Sequence, residues 1–589
     1  MRATDSTLHL DKRNMEGTVR LNEAPVLKPP RSGERRDATK RPARAYFLLA
    51  ALTVLCLLPF SGRAFHTDDT LFVWAAQNIA KHPFNPYGFQ LNWEFTQVRM
   101  SELTQNPPLA SYYMALAASV VGWSERALHL AFLLPTLALV LGTYRLAQKF
   151  TRSPLLAAFA TLLTPGLLVS ASSVMCDPLM LAIWIWAAIL WIEGLEPQRP
   201  LFLLASALLL AAGELTKYFG ASLILLLFAY SIARQRRVGS WVWYLLIPVA
   251  VLVGYEFLTA KMYGHGLLST AADFSRKRRL FVHATKTARA LVGLSYTGGC
   301  TLPALTFAAF LWSRRQVVLG MLWSGLASLL IMRGWVGLGV PVGGPMAFIM
   351  RHHHWLLISS HLILFIAGGT SVLALAITDY WQERDADSLF LALWVVGTFV
   401  FTAFLNWTIN ARSVLPLIPA IGILLARRLE RIRVAPQQLL RASIAALLLS
   451  GFLSLWITGA DTELANSARS AARVIDERIH GKGGNLWFVG HSGFQYYMEL
   501  LGARPLDWWN PQVNGGDFVA IPYNKIWPSD RRDYFLGTRD EFELQMHSHA
   551  STICPELGAG FYYSYWALLP YVIGPIPAEH YSIVRLEPY

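Results

Sequence analysis

The sequence predicts an α-helical polytopic membrane protein with about thirteen transmembrane helices, followed by a small C-terminal α/β domain outside the membrane. Its 589 residues are 54% hydrophobic and only 15% charged, with a mean hydropathy of +0.37. A soluble domain of this length carries more charge. Apolar runs long enough to cross a bilayer recur from Tyr46 to about Trp456. After Ala460 the chain changes character, because short apolar runs there alternate with turn residues.

The N-terminal region, residues 1–44, is polar and basic and has no hydrophobic periodicity. Segments that cannot bury enough apolar surface stay unfolded, so we expect a disordered cytoplasmic tail here. The region is too long and too polar for the n-region of a cleaved signal peptide. The apolar run AYFLLAALTVLCLLPF that follows it is therefore predicted to be an uncleaved first span.

The multi-pass membrane domain is predicted over residues 45–459. Its apolar segments lie at about 45–60, 126–147, 154–175, 178–195, 201–217, 219–233, 241–260, 290–312, 316–332, 355–378, 388–407, 413–426 and 438–458. Basic loops, such as RQRR at 234–237 and RRLERIR at 427–433, fall on one common side under this count. The positive-inside rule makes that side the cytoplasm. The outer loop 61–125 and the C-terminal region then face the opposite side.

The segment PPLASYYMALAASVVGW at 107–123 leaves the topology open, because it is apolar but short. As a full span it would invert every later loop and put the basic loops outside. We therefore interpret it as an interfacial or partly re-entrant helix on the outer surface. Pro107 and Pro108 suit the start of such a helix, since proline is favoured in the first helical turn.

The C-terminal region, residues 460–589, is predicted to fold as an α/β domain. GNLWFVG at 484–490, DFVAIPY at 517–523 and YSIVRLEP at 581–588 have the apolar, β-branched composition of buried strands. SGFQYYMELLGA at 492–503 has the pattern of a helix ended by glycine.

The formal net charge is +14, with an isoelectric point near 9.6. In a soluble protein such an excess would suggest nucleic acid as a partner. Here much of the excess lies in short loops beside apolar runs, and no basic platform interleaved with aromatic residues is present for stacking bases. We therefore expect no nucleic-acid partner. Four cysteines are too few for a disulfide framework, and none forms a C-x-x-C metal pair.

Several polar residues follow or precede predicted spans on the predicted outer side. They are Asp68, Asp69, Arg99, Glu102, Asn106, Asp177, Lys217 and Arg412. Ionisable residues at the ends of spans are costly unless they are solvated or paired, so a functional site is a reasonable hypothesis. Carboxylates there can act as a general base on an acceptor hydroxyl or hold a divalent metal. Lysine and arginine can stabilise a lipid-linked phosphate as it leaves. Taken singly, each residue is equally well explained as a helix cap or a snorkelling side chain.

The order and spacing of these residues resemble a known family. The acidic pair after span one, NPPL at 106–109, DPLM at 177–180, LTKYFG at 215–220 and ARSVLPLIPA at 411–420 are similar to motifs of the C-type integral-membrane glycosyltransferases. The similarity is to the protein O-mannosyltransferase-like branch, family 39, with the bacterial aminoarabinose lipid A transferases and rhizobial lipopolysaccharide sugar transferases. It covers residues 45 to about 430. The resemblance implies the C-type glycosyltransferase fold, a polyprenyl-phosphate-linked sugar donor and inversion at the anomeric carbon.

The resemblance also implies roles for individual residues. Asp68 or Asp69 matches the acidic catalytic position of the first outer loop, and Asp177 matches an acidic position before a later span. Lys217 and Arg412 match basic positions near the donor phosphate. Gln105 and Asn106 stand where aminoarabinose-type members have an acidic residue and a lysine. This departure leaves a divalent metal cofactor and the aminoarabinose substrate open.

The resemblance implies a bacterial inner membrane location. The charge asymmetry of the loops and the odd number of spans predict a cytoplasmic N-terminus and an external, here periplasmic, C-terminal domain. The expected partners are the lipid-linked donor, membrane lipids, and a glycan, lipid or protein acceptor. Two other function classes stay open at this point. A secondary transporter is one, although we see no internal repeat and the charges cluster at span ends rather than at mid-span. The other is a non-catalytic envelope-assembly protein that presents the C-terminal domain. The identities of the sugar and the acceptor are not determined by the sequence.

Overall fold

The computed structural model describes residues 42–93, 96–196, 199–339, 354–523, 535–562 and 567–587. Residues 1–41 of the predicted disordered tail lie outside the described residues. The first described helix begins at Pro42, inside the last part of the predicted tail. Proline suits this position because its missing N–H has no intrahelical partner there in any case.

Helices make up most of the described chain. From the N-terminus they are Pro42–Leu57, Asp69–Lys81, Met100–Leu103, Leu109–Val121, Glu125–Phe150, Pro154–Leu162, Pro165–Ala171, Cys176–Leu195, Pro200–Thr216, Ser222–Gln235, Val242–Tyr263, Leu267–Val282 and Lys286–Cys300. They continue with Pro303–Thr306, Ala308–Leu311, Arg314–Met332, Trp355–Glu383, Ala386–Val400, Ala411–Val414, Ile418–Glu430, Pro436–Ile479 and Ser492–Leu500, with a π-helical turn at Phe401–Leu405.

Within the described residues, 9 helices are long and apolar enough to cross a membrane, or up to 10 if one bent pair forms a single span. These helices confirm the predicted polytopic membrane protein. The remaining three of the thirteen predicted segments are helical too, but they are shorter or broken. Proline explains two of the breaks, because it cannot donate the next backbone hydrogen bond. Pro303 begins a new helix inside segment 290–312, and Pro416 and Pro419 divide segment 413–426.

The bent pair, Pro154–Leu162 and Pro165–Ala171, turns by 62°. Thr164 lies in the break, where its hydroxyl accepts the Leu167 backbone N–H at 3.3 Å. Pro165 follows as the first residue of the second helix. The predicted span 154–175 is therefore two short helices, and the chain after Ala171 turns into the next long helix.

The predicted outer loop contains helices and a β-hairpin. Strand β1 (Gln90–Trp93) pairs antiparallel with β2 (Thr96–Arg99). The helix Leu109–Val121 has 13 residues. At a rise of about 1.5 Å per residue it is roughly 20 Å long, which is shorter than the hydrocarbon core of about 30 Å. Its length agrees with an interfacial or partly re-entrant helix, and its orientation in the membrane stays a prediction.

The Pro436–Ile479 helix is 44 residues long. At about 1.5 Å per residue this corresponds to roughly 66 Å, about twice the thickness of the hydrocarbon core. The helix therefore runs through the predicted boundary at residue 460. Its first half is the predicted last span, and its second half packs against the C-terminal domain.

A mixed sheet forms the core of the C-terminal region, as predicted. The strands of this region are β3 (Leu486–Phe488), β4 (Arg504–Pro505), β5 (Phe518–Pro522), β6 (Gly537–Leu544), β7 (Ala550–Ser551), β8 (Ile553–Cys554), β9 (Ala559–Gly560), β10 (Val572–Ile573) and β11 (Glu579–Leu586). Strand β7 pairs with β10 and β8 pairs with β9 in two small sheets, and the other five strands form the mixed sheet. The sheet order is β4-β3-β5-β11-β6. Strand β3 is parallel to β4 and β5, whereas β11 is antiparallel to β5 and β6. Trp487, Val519 and Val584 fill one face of this sheet.

Candidate active site

Asp177 lies in the first turn of the Cys176–Leu195 helix, and only 1% of its side chain is exposed. The first turn of a helix favours a carboxylate, because unpaired backbone N–H groups and the helix dipole present positive charge there. The Pro200–Thr216 helix packs antiparallel beside this helix, and Lys217 follows its last residue. This antiparallel packing brings Lys217 to the same end of the helix pair as Asp177.

Two cations bind the Asp177 carboxylate. Lys217 Nζ donates to Asp177 Oδ1, and Arg412 Nε donates to Asp177 Oδ2 at 2.8 Å. Arg412 lies in the short Ala411–Val414 helix, whose start is capped by Asn410 through a 2.7 Å bond from the Ser413 N–H. Charge-assisted bonds of this kind are among the strongest hydrogen bonds in proteins. Asp177 therefore fixes the positions of both cations.

Arg412 also reaches Asp68. Its Nη1 donates to Asp68 Oδ2 at 2.6 Å, so the guanidinium bridges two carboxylates. The order Lys217–Asp177–Arg412–Asp68 alternates in sign and carries two positive and two negative charges. The side chain of Arg412 is 9% exposed and that of Asp68 is 44% exposed. The cluster is therefore anchored at Asp177 and open to solvent at Asp68.

The adjacent carboxylates Asp68 and Asp69 have different surroundings. Asp68 precedes the Asp69–Lys81 helix, but its side chain makes no capping bond. Asp69 is completely buried, and its two oxygens accept the backbone N–H groups of His66 and Val174, each at 3.0 Å. Burial raises the pKa of the Asp69 carboxyl to about 6, against the opposing effect of Arg63 and these N–H donors. Asp69 thus joins the segment before Asp68 to the segment before Asp177.

The remaining predicted residues lie apart from this cluster. Arg99 is exposed at the end of β2, and Glu102 is exposed in the Met100–Leu103 helix. Neither forms a hydrogen bond with the cluster within the described residues. Asn106 is nearer, because its Oδ1 lies 3.8 Å from the Sγ atom of Cys176, the neighbour of Asp177.

A second buried ion pair lies beside Asp69, and the sequence analysis did not identify it. Arg63 Nη2 is 2.7 Å from Asp461 Oδ2, and both side chains are fully buried. The hydroxyl of Tyr562 accepts a 3.1 Å bond from Arg63 and donates a 2.9 Å bond to Asp461. Arg63 and Asp461 each follow the end of a predicted span. This position could have identified them as candidate site residues from the sequence. Their pairing across almost 400 residues has no local sequence signal.

The donor set at the cluster is better suited to an anion than to a metal cation. Within the described ranges, no group of three or more His, Cys, Asp or Glu side chains is placed to hold a metal ion. The guanidinium of Arg412 occupies the space between Asp68 and Asp177. Lysine and arginine can instead form charge-assisted hydrogen bonds to phosphate oxygens.

Several solved structures are similar to this chain at low sequence identity. ArnT from Cupriavidus metallidurans, bound to undecaprenyl phosphate, is 13% identical, with a TM-score of 0.48 over 82% of this chain and 94% of that chain. The oligosaccharyltransferase AglB from Archaeoglobus fulgidus, in complex with an inhibitory peptide and a dolichol-phosphate, is 12% identical. Its TM-score is 0.44, over 82% of this chain and 69% of that chain.

The chain has no match among curated proteins. Residues 105–256 match the family model described as dolichyl-phosphate-mannose-protein mannosyltransferase. The matched region is about a quarter of the chain, and it contains Asn106, Asp177 and Lys217. By its long apolar helices the chain is a multi-pass membrane protein, and its residues 105–256 are similar to the dolichyl-phosphate-mannose-protein mannosyltransferase family.

Proposed function

We propose that this protein is an inverting glycosyltransferase. It moves a sugar from a polyprenyl-phosphate donor to an acceptor at the periplasmic face of a bacterial inner membrane. The observation that carries the proposal is the cluster of Lys217, Asp177, Arg412 and Asp68 at the ends of membrane helices. It combines a solvent-accessible carboxylate with two cations at helix ends, where this proposal puts the phosphate of the lipid-linked donor.

Asp68 is the general base of the proposed reaction. One of its oxygens is bound to Arg412, and within the described part of the chain the other accepts no hydrogen bond from protein. This second oxygen takes the proton of the acceptor hydroxyl while the acceptor oxygen attacks the anomeric carbon. The bond between the anomeric carbon and the phosphate oxygen breaks as the new glycosidic bond forms. A single displacement from the face opposite to the phosphate inverts the anomeric configuration.

Lys217 and Arg412 bind the donor phosphate. As the sugar leaves, the polyprenyl phosphate gains one negative charge, and fixed cations in a partly buried site stabilise the charge that develops. The Lys217 side chain is 19% exposed, and in this proposal its ammonium also donates to a phosphate oxygen of the donor. In the free enzyme Asp177 pairs with both cations and keeps them in place, and Asp68 supplies the second negative charge. Asp69 touches neither substrate in this proposal and supports the position of Asp68.

The proposed domain organisation follows from this assignment. The polar N-terminal tail over residues 1–44 is cytoplasmic, and the transferase domain covers residues 45–459. Residues 460–589 form the periplasmic domain. The positive charge of the loops between the spans supports this orientation.

The direct test uses purified protein in liposomes with a panel of labelled polyprenyl-phosphate sugars. Release of polyprenyl phosphate together with a glycosylated acceptor, of opposite anomeric configuration to the donor, is the expected result. Asp68→Asn should abolish most of this transfer. Asp273→Asn is the matched control, because Asp273 is an exposed carboxylate that pairs with Arg276 away from the cluster. Uptake of a labelled solute without sugar transfer would identify a transporter and refute the proposal.

A further inference from the structure

The C-terminal domain and the long helix leading to it hold the segment immediately before Asp68. The backbone N–H of Ala64 donates to Asn466 Oδ1 at 3.0 Å, and the N–H of Phe65 donates to the Tyr497 hydroxyl at 2.8 Å. Gly493 packs so closely on this segment that an added Cβ would lie 2.3 Å from the carbonyl oxygen of Phe65. Both backbone polar groups of Phe65 therefore face the C-terminal domain.

Arg63 joins the same segment to three other parts of the chain. Its guanidinium pairs with Asp461 on the long Pro436–Ile479 helix and donates to Ser172 Oγ at 2.8 Å. It also donates to the hydroxyl of Tyr562 in the C-terminal domain. Because Arg63 and Asp461 are fully buried, removing one partner leaves an uncompensated group inside the protein.

These contacts determine where Asp68 lies. Thr67 separates the held segment from Asp68 and has a φ of 46°, which a non-glycine residue adopts only when its surroundings impose it. On the other side of Asp68, Asp69 is bound to the backbone of Val174. The backbone at Asp68 is therefore fixed from both sides, while its side chain remains accessible.

The same part of the C-terminal domain also holds the residue beside Arg412. The carbonyl of Phe561 accepts the backbone N–H of Ala411 at 2.9 Å. Phe561 and Tyr562 are consecutive, so one dipeptide contacts the segments that carry Arg412 and Asp68. The dipeptide therefore links Arg412 and Asp68, which are distant in sequence, although Arg412 Nη1 lies 2.6 Å from Asp68 Oδ2.

We propose that Tyr562 is a positioning residue for sugar transfer, through which the C-terminal domain holds Asp68 against Arg412. This inference rests on the proposed function. The domain is then a part of the catalytic unit rather than a separate module that only presents an acceptor. Tyr562 acts through Arg63 and Asp461, and it does not touch the reacting atoms.

The test is a double-mutant cycle between Tyr562→Phe and Asp68→Asn in the full-length protein, reconstituted with the lipid-linked donor. Tyr562→Phe should lower kcat by about tenfold and leave the donor KM within about twofold, the pattern of a lost transition-state interaction. In the Asp68→Asn background the same change should have almost no further effect, because it acts through the carboxylate already removed. A merely structural role would give equal effects in both backgrounds.

Tyr571→Phe is the matched control. Tyr571 is also a buried tyrosine of the C-terminal domain, and its hydroxyl donates to the Gly299 carbonyl at 2.9 Å, away from the cluster. This variant should keep the wild-type kcat. If Tyr562→Phe yields too little folded protein, Asn466→Ala removes the acceptor of the Ala64 N–H and enters the same cycle.

Additive effects in the cycle, or an unchanged kcat in Tyr562→Phe, would overturn this inference while leaving the proposed function intact. Absence of transfer by the wild-type protein with every donor would instead refute the proposed function itself. The two failures are therefore distinguishable in one set of assays.

Discussion

Substituting Asp68 and Asp69 separately by asparagine should give opposite results for activity and stability. Asp68→Asn preserves the shape of the side chain and one oxygen that can accept the bond from Arg412. It removes the group that takes the proton, so sugar transfer should fall by about 10²–10⁴. The side chain is 44% exposed, and ion pairs of this kind contribute about 0–1 kcal/mol to the free energy of unfolding. The melting temperature should therefore change little.

Asp69→Asn should act mainly on stability. The two carboxylate oxygens accept two backbone N–H groups, from His66 and Val174. An asparagine amide has only one oxygen, so its NH₂ group must face one of these donors. Leaving one buried donor unsatisfied costs about 1–3 kcal/mol. The melting temperature should fall, and the activity that remains per folded molecule should exceed that of Asp68→Asn.

The assay measures transfer from labelled donor in liposomes, and melting temperatures are measured on the same preparations. Asp273→Asn serves as the control for the loss of an exposed carboxylate. Asp68→Asn protein with transfer close to that of the wild type would refute the general-base role. An inactive Asp69→Asn protein with an unchanged melting temperature would exchange the roles of the two residues.

Three further predictions concern the donor, the topology and the C-terminal domain. Lys217→Ala and Arg412→Ala should each raise the donor requirement by roughly ten- to a hundredfold, since a lost charge-assisted bond costs about 1.5–3 kcal/mol; unchanged donor titrations in both would remove them from the phosphate site. A reporter that is active only in the periplasm should be active when fused after Tyr589, whereas activity of a cytoplasmic reporter there would mean that segment 107–123 spans the membrane. Burial alone would raise the pKa of Asp517, but bonds from Asn485, Asn514 and Trp487 lower it. The stability that Asp517 contributes at neutral pH should therefore be lost below about pH 4 as pH falls through the lowered pKa; acid melts in which Asp517→Asn shows the same pH dependence as the wild type would contradict this.

The sequence predicted the membrane helices and the C-terminal strands because both depend on local patterns. Hydrophobic length is a property of each segment, and a short apolar run bounded by turn residues identifies buried strands such as the one at Phe518–Pro522. The breaks at Thr164 and Pro303 were harder to predict, since proline occurs inside long helices as well. Pro135, for example, lies inside the unbroken Glu125–Phe150 helix. Whether such a proline breaks a span depends on packing that a single segment does not contain.

For the candidate site, too, the sequence predicts the individual residues but not the contacts between residues that are far apart in the chain. Asp177, Lys217 and Arg412 could be selected because each stands at the end of an apolar run. The bridge that Arg412 makes between Asp68 and Asp177 depends on contacts between residues far apart in the chain. The difference between Asp68 and Asp69 is likewise tertiary, because it arises from the backbone of Val174.

The unbroken Pro436–Ile479 helix has a consequence for exchanging domains between relatives. Each residue of an α-helix advances the chain by about 1.5 Å and rotates it by about 100°. An insertion of one residue before Asp461 would therefore turn its carboxylate away from Arg63, although it would move the C-terminal domain by only about 1.5 Å along the helix axis. An insertion of a whole turn would restore the direction but lift the domain by about 5 Å. A chimera with a foreign C-terminal domain must therefore preserve both the rotational phase and the length of this helix.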